Sequence, residues 1–207
     1  MTTLAIETSN ARGGVAVVRG GVVVFERTFV SERSHNSQLF APLGEALAVC
    51  GSDLQTIVVG LGPGSYTGAR IGIAAAQGLA VSRGVAVIGL PSVLAPDVAD
   101  LPRSFVVCGD ARRGSFFTAE IYDGHVVGEI YLHDAADLTS LRAADTERVW
   151  FSFDDKAPLM LPDVRLAKPS AATLAKLGET QTGQPLPQVL EPIYLAGAFV
   201  TTPKKRV

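Results

Sequence analysis

Apolar residues in the first thirty positions follow the pattern of β-strands. Residues 3–8, 15–18 and 22–30 are short apolar stretches, and two adjacent glycines at 20 and 21 separate the last two stretches as a hairpin turn would. The pattern therefore predicts three consecutive strands that pair as neighbours in one sheet.

The next segment, residues 35–50, has helical spacing. Its apolar side chains recur every four positions, at Leu39, Leu43 and Leu47. Pro42 lies among them, and an interior proline removes one backbone hydrogen bond. We therefore expect either a kinked helix or a helix whose regular part begins close to the proline.

Residues 57–72, IVVGLGPGSYTGARIG, join a buried strand to a helix that is predicted to run to about residue 83. The glycines of the connecting loop are Gly60, Gly62, Gly64 and Gly68. Ser65 or Thr67 can cap the helix. Because the free N–H groups at a helix start attract anions, phosphate binding is one function that this loop suggests.

The spacing of the glycines does not match the known phosphate-binding signatures. A P-loop requires a glycine, four intervening residues and then Gly-Lys-Ser/Thr, and this loop contains no lysine. In the dinucleotide fingerprint, the third glycine would fall on Ser65 or Thr67. Two alternatives remain, a strand-to-helix turn without a ligand and an anion or nucleotide site that includes Gly62, Gly64 and these two residues.

The helix after the loop carries rows of small and apolar residues at four-residue intervals, which place them on shared faces. One row is Gly72, Ala76 and Ala80, with Ala69 three residues before it, and the neighbouring row is Ile71, Ala75 and Leu79. Small residues allow another helix to approach closely. The rows therefore fit either packing inside the same domain or a surface for a partner helix.

The second half of the chain repeats this plan in reduced form. After a strand at 85–90 and a short helical piece to about residue 98, the proline-containing stretch 97–103 links two halves. The elements predicted beyond it are strands at 104–109, 116–122, 126–132 and 148–153, and helices at 134–144 and 170–180. We expect two domains, residues 1–100 and 101–207, and an irregular tail beyond residue 183.

Composition narrows the classes of function. The chain has 207 residues, 47% of them hydrophobic, and a net charge of −2, so it can bury a core but has no overall basic field for nucleic acid. Cys50 and Cys108 lie in apolar surroundings, and the N-terminus lacks the features of a secretion signal. We expect reduced thiols, a cytoplasmic location and no membrane span.

Three motifs resemble one protein family. GPGSYTGARIG at 62–72 is similar to the GPGSFTGLRIG signature of the TsaB (YeaZ) family, the non-catalytic partner in bacterial threonylcarbamoyladenosine modification of tRNA. Asp-Ala-Arg-Arg at 110–113 matches a turn of that family. Pro-Ile-Tyr-Leu at 192–195 is similar to its ending, although Ala196 stands where the family has arginine. Further similarity covers residues 35–42.

The resemblance implies an α/β fold of two ribonuclease-H-like lobes, as in the actin, sugar-kinase and Hsp70 (ASKHA) superfamily, with the second lobe reduced. It also implies a scaffold that dimerises with the catalytic subunit TsaD, works with the ATPase TsaE and forms homodimers when alone. ATP and a metal would bind the partner subunits, this chain would have no cofactor of its own, and tRNA would be reached only through the complex.

The resemblance places the partner interface on the helices at 35–50 and 68–83. The residues expected there are His35, Leu39, Leu43, Leu47, Gly68, Arg70, Ile71, Gly72, Ala75, Ala76, Leu79 and Ala80.

Acidic residues suggest an alternative activity, an ATP-dependent phosphotransferase of the acetate- and sugar-kinase type. Glu7 ends the first strand, where related folds have an acid near the nucleotide-bound metal, but it can equally serve as a turn partner for Ser9. Asp110 and Arg112 fit either an anion site or a turn held by charge-assisted bonds.

Catalytic and metal-binding patterns are missing from the sequence. The three histidines, His35, His125 and His133, form no His-x-x-x-His pair, which TsaD uses to bind metal. Ser65 is not in a Gly-x-Ser-x-Gly elbow. We therefore predict no catalytic residues and no metal site.

Overall fold

Two five-stranded sheets form the framework of the chain. The computed structural model describes residues 1–30, 35–158, 160–180 and 190–195, with the side chains at 35–37 outside the description. The first sheet consists of β1 (Thr2–Glu7), β2 (Arg12–Arg19), β3 (Val22–Val30), β4 (Thr56–Gly60) and β5 (Ala86–Leu90). The second consists of β6 (Ser104–Arg112), β7 (Ser115–Tyr122), β8 (His125–His133), β9 (Val149–Ser152) and β10 (Arg165–Leu166).

The two sheets have the same topology. The spatial order is β3-β2-β1-β4-β5 in the first and, read from the opposite edge, β8-β7-β6-β9-β10 in the second. In each, the first three strands pair antiparallel, and the fourth and fifth join parallel to the first. This confirms the predicted α/β class of two ribonuclease-H-like lobes of the actin, sugar-kinase and Hsp70 type.

Three helices cover the first sheet. They are α1 (His35–Cys50), α2 (Tyr66–Arg83) and α4 (Ala171–Thr180). The first two share an apolar core with one sheet face, and α4 packs on the opposite face. Gly178 allows this close approach, because a Cβ there would lie 2.3 Å from a methyl carbon of Val58. The sequence pattern predicted α4 but not its return to the first sheet.

The second lobe is the smaller one. Its helix α3 (Ala135–Ala144) buries Leu138 against Trp150 and the sheet. No helix is described between β9 and β10, where the first lobe has α2 between its corresponding strands. The other sheet face forms a core that includes the edge-to-face pair Phe105 and Phe151, with ring centroids 5.6 Å apart.

Four local features differ from the sequence pattern or refine it. Helix α1 continues through Pro42 without a break in its assignment. The helical piece after β5 is a single 3-10 turn, Ser92–Leu94, and the short strand β10 was not predicted. The tail beyond residue 183 lies outside the described residues except for 190–195, which form neither helix nor strand.

Both cysteines are free and buried, on different lobes. Burial raises the pKa of the Cys108 thiol to about 12, so this thiol stays protonated and unreactive at neutral pH. In the part of the chain that the structure describes, no helix has both the length and the apolar character needed to cross a bilayer.

Candidate partner-binding surface

The glycine loop between β4 and α2 packs directly on the end of β1. Glu7 is fully buried beneath it, and a Cβ at Gly60 would lie 2.0 Å from a Glu7 carboxylate oxygen. The Ser9 N–H donates to Glu7 Oε1 at 2.6 Å, and the Ser92 hydroxyl donates to Oε2 at 2.7 Å. Glu7 is therefore the turn partner of Ser9, one of the two roles that the sequence left open.

Backbone donors of the loop already have acceptors within the chain. The Gly62 N–H donates to Ser92 Oγ at 3.0 Å, and the Ser65 N–H donates to the Ser9 carbonyl at 2.5 Å. Ser65 is the N-cap of α2, since its hydroxyl accepts from the Gly68 N–H at 3.1 Å. These three N–H groups are not free for a phosphate. The loop thus has the geometry of a strand-to-helix turn that uses these three donors internally.

Asp110 and Arg112 hold the β6–β7 turn of the second lobe. The Arg112 N–H donates to Asp110 Oδ1 at 2.7 Å, and the Asp110 N–H donates to Asp154 Oδ2 at 2.9 Å. Within the described part of the chain, no hydrogen bond or ion pair connects them to Glu7 or to the glycine loop. In the part of the chain that the structure describes, no group of three or more His, Cys, Asp or Glu side chains could hold a metal ion.

The buried carboxyl of Glu7 makes stability depend on pH. Burial raises the pKa of Glu7 above its usual value of 4.5, although the hydrogen bonds from Ser9 and Ser92 oppose the shift. The folded chain therefore holds this proton more tightly than the unfolded chain. Its contribution to stability is fully present below the unfolded-state pKa and is lost as pH rises through the folded-state pKa.

We expect Glu7→Gln to gain stability relative to the natural chain as pH rises from about 4.5 to 8, because glutamine cannot ionise. Urea unfolding of both chains across this range measures the difference. Glu147→Gln, at an exposed position, is the control and should show no such trend. A stability difference between Glu7→Gln and the natural chain that stays constant with pH would contradict the assignment.

Several predicted interface residues of α1 and α2 instead face the interior of their own lobe. They are Leu39, Gly68, Gly72, Ala76 and Ala80. Ala76 is fully buried, and a Cβ at Gly72 would lie 2.3 Å from Thr8 Oγ1. The prediction that this small-residue row contacts a partner was wrong, since the row brings α2 close to its own sheet. The side chain of His35 lies outside the described residues.

Residues of both α1 and α2 line an open groove of about 840 Å³, called here the α1–α2 groove. It contains the remaining predicted interface residues, Leu43, Leu47, Arg70, Ile71, Ala75 and Leu79. Thr67, predicted for the anion site, also lines it. The sequence interpretation missed Phe40, Gly44, Tyr66, Ala74 and Gly78.

Two glycines of the groove, Gly44 and Gly78, have no side chain to fill it. Among the described residues, and apart from its chain neighbours and the backbone of its own helix, a Cβ at Gly44 or at Gly78 would meet no atom within 4 Å. Glycine inside a helix destabilises it by roughly 0.5–1 kcal/mol relative to alanine. Packing inside the chain therefore does not require these glycines, whereas close approach by a second molecule would. Glycines at interior helix positions, where glycine is unfavourable, are the sequence signal that could have drawn attention to Gly44 and Gly78.

A large apolar side chain and a charged one complete the groove. Phe40 is 58% exposed, which is unusual for a phenylalanine in a water-soluble domain. At the start of α2, the Arg70 guanidinium lies over the Tyr66 ring, 5.1 Å from its centroid, and donates to the Tyr66 hydroxyl at 2.6 Å. Aromatic and arginine side chains around an apolar centre are the composition of protein–protein interfaces.

Comparison with known proteins gives the chain a family. A family model described as "TsaD: tRNA N6-adenosine threonylcarbamoyltransferase" matches residues 20–150. The tRNA threonylcarbamoyladenosine biosynthesis protein TsaB of Bacillus subtilis is 36% identical over 123 residues, a match that covers 57% of this chain and 54% of that protein. In this match the chain spans about half the length of the Bacillus protein.

Two further similarities extend over nearly the whole chain. An uncharacterized protein of Mycobacterium tuberculosis (strain H37Rv) is 34% identical over 201 residues, covering 94% of this chain and 91% of that protein. The structure of YeaZ from Pseudomonas aeruginosa superposes with a TM-score of 0.66 and 21% identity, over 94% of this chain and 99% of the other. The glycine-loop motif, the shared fold and these matches show that the chain belongs to the TsaB (YeaZ) family.

Proposed function

We propose that this chain is a non-catalytic subunit that binds a TsaD-like threonylcarbamoyltransferase subunit through the α1–α2 groove. In this role it supports threonylcarbamoyladenosine modification of tRNA beside the anticodon. The observation that carries the proposal is the groove itself, an apolar surface whose two glycines have no tertiary packing partner among the residues that the structure describes.

The chemistry of the groove favours a helical protein partner. Gly44 and Gly78 leave room for a helix of the partner to approach the backbones of α1 and α2 closely. Phe40 can then become buried, which contributes about 1.5–3 kcal/mol for a full side chain. A contiguous exposed apolar surface of this kind usually marks an interaction site.

The chemical steps belong to the partners in this proposal. The loop donors at 62, 65 and 68 are used within the chain, so we assign nucleotide and metal binding to the TsaD-like subunit and a TsaE-like ATPase. The net charge of −2 supports contact with tRNA through the complex rather than by this chain alone. When the partner is absent, the same groove can pair with a second copy. The expected location is the cytoplasm.

Size-exclusion chromatography with light scattering tests the proposal, using this chain and the TsaD-like subunit of the same organism. We expect a one-to-one complex, and we expect tRNA modification by the reconstituted subunits to require this chain. No complex, together with stabilisation of the isolated chain by ATP and magnesium, would instead support the phosphotransferase alternative.

A further inference from the structure

Residues 190–195, called here the C-terminal strap, return to the loop that precedes α2. Leu190 is 8% exposed and packs against Gly89, where a Cβ would lie 2.7 Å from a Leu190 methyl carbon. The Ile193 N–H donates to the Leu61 carbonyl at 2.8 Å. These two contacts fix the strap to the end of the first sheet, independently of α2.

The strap places an aromatic ring beside the groove. The ring centroids of Tyr194 and Tyr66 are 5.2 Å apart, and the planes are tilted by 34°. Tyr66 in turn lies under the guanidinium of Arg70. These three side chains are called here the Tyr–Tyr–Arg stack. The stack lies at the end of the α1–α2 groove where α2 begins, and it brings Tyr194 of the strap against Tyr66.

The stack restrains two residues of the groove that are otherwise exposed to solvent. Tyr66 belongs to the first turn of α2. Its side chain is 54% exposed, so the surrounding protein does not enclose the ring. Tyr194 supplies a contact from a backbone that is fixed elsewhere. A side chain that is already held in its bound position loses less conformational freedom when a partner binds.

We propose that Tyr194 is a positioning residue for partner binding, because it holds Tyr66, and through Tyr66 the charged head of Arg70, at the end of the groove. The inference rests on the proposed function and deepens it. It extends the determinants of partner binding to the C-terminal strap, outside the two helices. Tyr194 acts through Tyr66 and need not touch the partner.

Titration calorimetry with the TsaD-like subunit tests the proposal. Tyr194→Ala should weaken binding about 3- to 10-fold, in keeping with the usual strength of an aromatic pair. Tyr194→Phe keeps the ring contact and loses only the hydroxyl that interacts with Tyr66, so it should weaken binding clearly less than Tyr194→Ala. The matched control is Tyr122→Ala on the second lobe. Tyr122 is 50% exposed, and the Arg103 guanidinium carbon lies 5.0 Å from the centroid of its ring. This control should leave binding unchanged.

A double-mutant cycle separates positioning from direct contact. In a chain that already carries Tyr66→Ala, the further change Tyr194→Ala should have no effect on the dissociation constant, because its target is gone. An undiminished effect in that background would overturn the positioning role.

The control outcomes also separate this inference from the proposed function. Equal binding by the natural chain and Tyr194→Ala would overturn the positioning role and leave the proposed function intact. If the natural chain does not bind the TsaD-like subunit, both proposals fail. Each variant should melt within about 2 °C of the natural chain, which corresponds to a change of under roughly 1 kcal/mol in the free energy of unfolding. Such a result shows that a folding defect does not cause the change in binding.

Discussion

Gly78→Arg should prevent binding of the TsaD-like subunit while making the isolated chain more stable. Gly78 lies in the groove, and an added side chain would project into the space that we assign to the partner. We expect affinity to fall by about 30-fold or more, the effect of losing a central contact of about 2 kcal/mol. Replacing a helical glycine should add roughly 0.5–1 kcal/mol of stability.

The two effects of Gly78→Arg have opposite signs, which makes the experiment decisive. Differential scanning calorimetry should show a melting temperature about 1–4 °C higher, and light scattering should show no complex. Gln77→Arg is the control, since Gln77 is exposed on the same helix but does not line the groove. It adds the same charge and should still bind. Full binding by Gly78→Arg would place the interface elsewhere.

Ala76→Arg should unfold the chain rather than block a surface. Ala76 has no exposed area and lies on the side of α2 that faces the core. Arginine there would bring a charge without a partner into the interior. An uncompensated buried charge destabilises by about 3–5 kcal/mol. That loss is a large part of the roughly 5–15 kcal/mol that typically separates a folded domain from its unfolded state.

Circular dichroism and urea unfolding measure the Ala76→Arg effect. Ala74→Arg gives a close comparison, because Ala74 is exposed and lines the groove only two positions away. This second variant should fold normally and lose partner binding. A natively stable Ala76→Arg chain would mean that the row of Gly72, Ala76 and Ala80 faces outward after all.

The sequence pattern predicted most elements because their signals are local. Short apolar stretches and the glycine pair at 20 and 21 mark the β2–β3 hairpin, and four-residue spacing marks α1. Ser65 was predicted as a possible cap, and its hydroxyl accepts the backbone N–H of Gly68 three residues later. The choice of superfamily came from the family motifs, since element order alone fits several α/β folds.

The inward and outward faces of α2 could not be distinguished from sequence. The helix has small residues on both, with Gly72 and Ala76 against the sheet and Ala74 and Gly78 in the groove. Periodicity reports which residues share a face but not which face is buried when both are small and apolar. The contact between Gly72 and Thr8 depends on the tertiary fold, so no local pattern reveals it.

The strap was missed for a related reason. Tyr194 and Tyr66 are separated by most of the chain, and nothing in the local sequence of either residue indicates that their rings meet. The same holds for Glu7 and Ser92, whose hydrogen bond joins two ends of the first lobe. Pairings of this kind follow from topology once the sheet is assembled.

The position of α4 has a consequence for synthesis on the ribosome. One face of the first sheet is covered only when residues 171–180 arrive, and the cluster there joins Ala16 and Val58 to Leu174 and Ala175. During translation at about 5–20 residues per second, the ribosome must complete the whole second lobe before that face is covered. We therefore expect the nascent first lobe to expose an apolar sheet face for several seconds before α4 covers it.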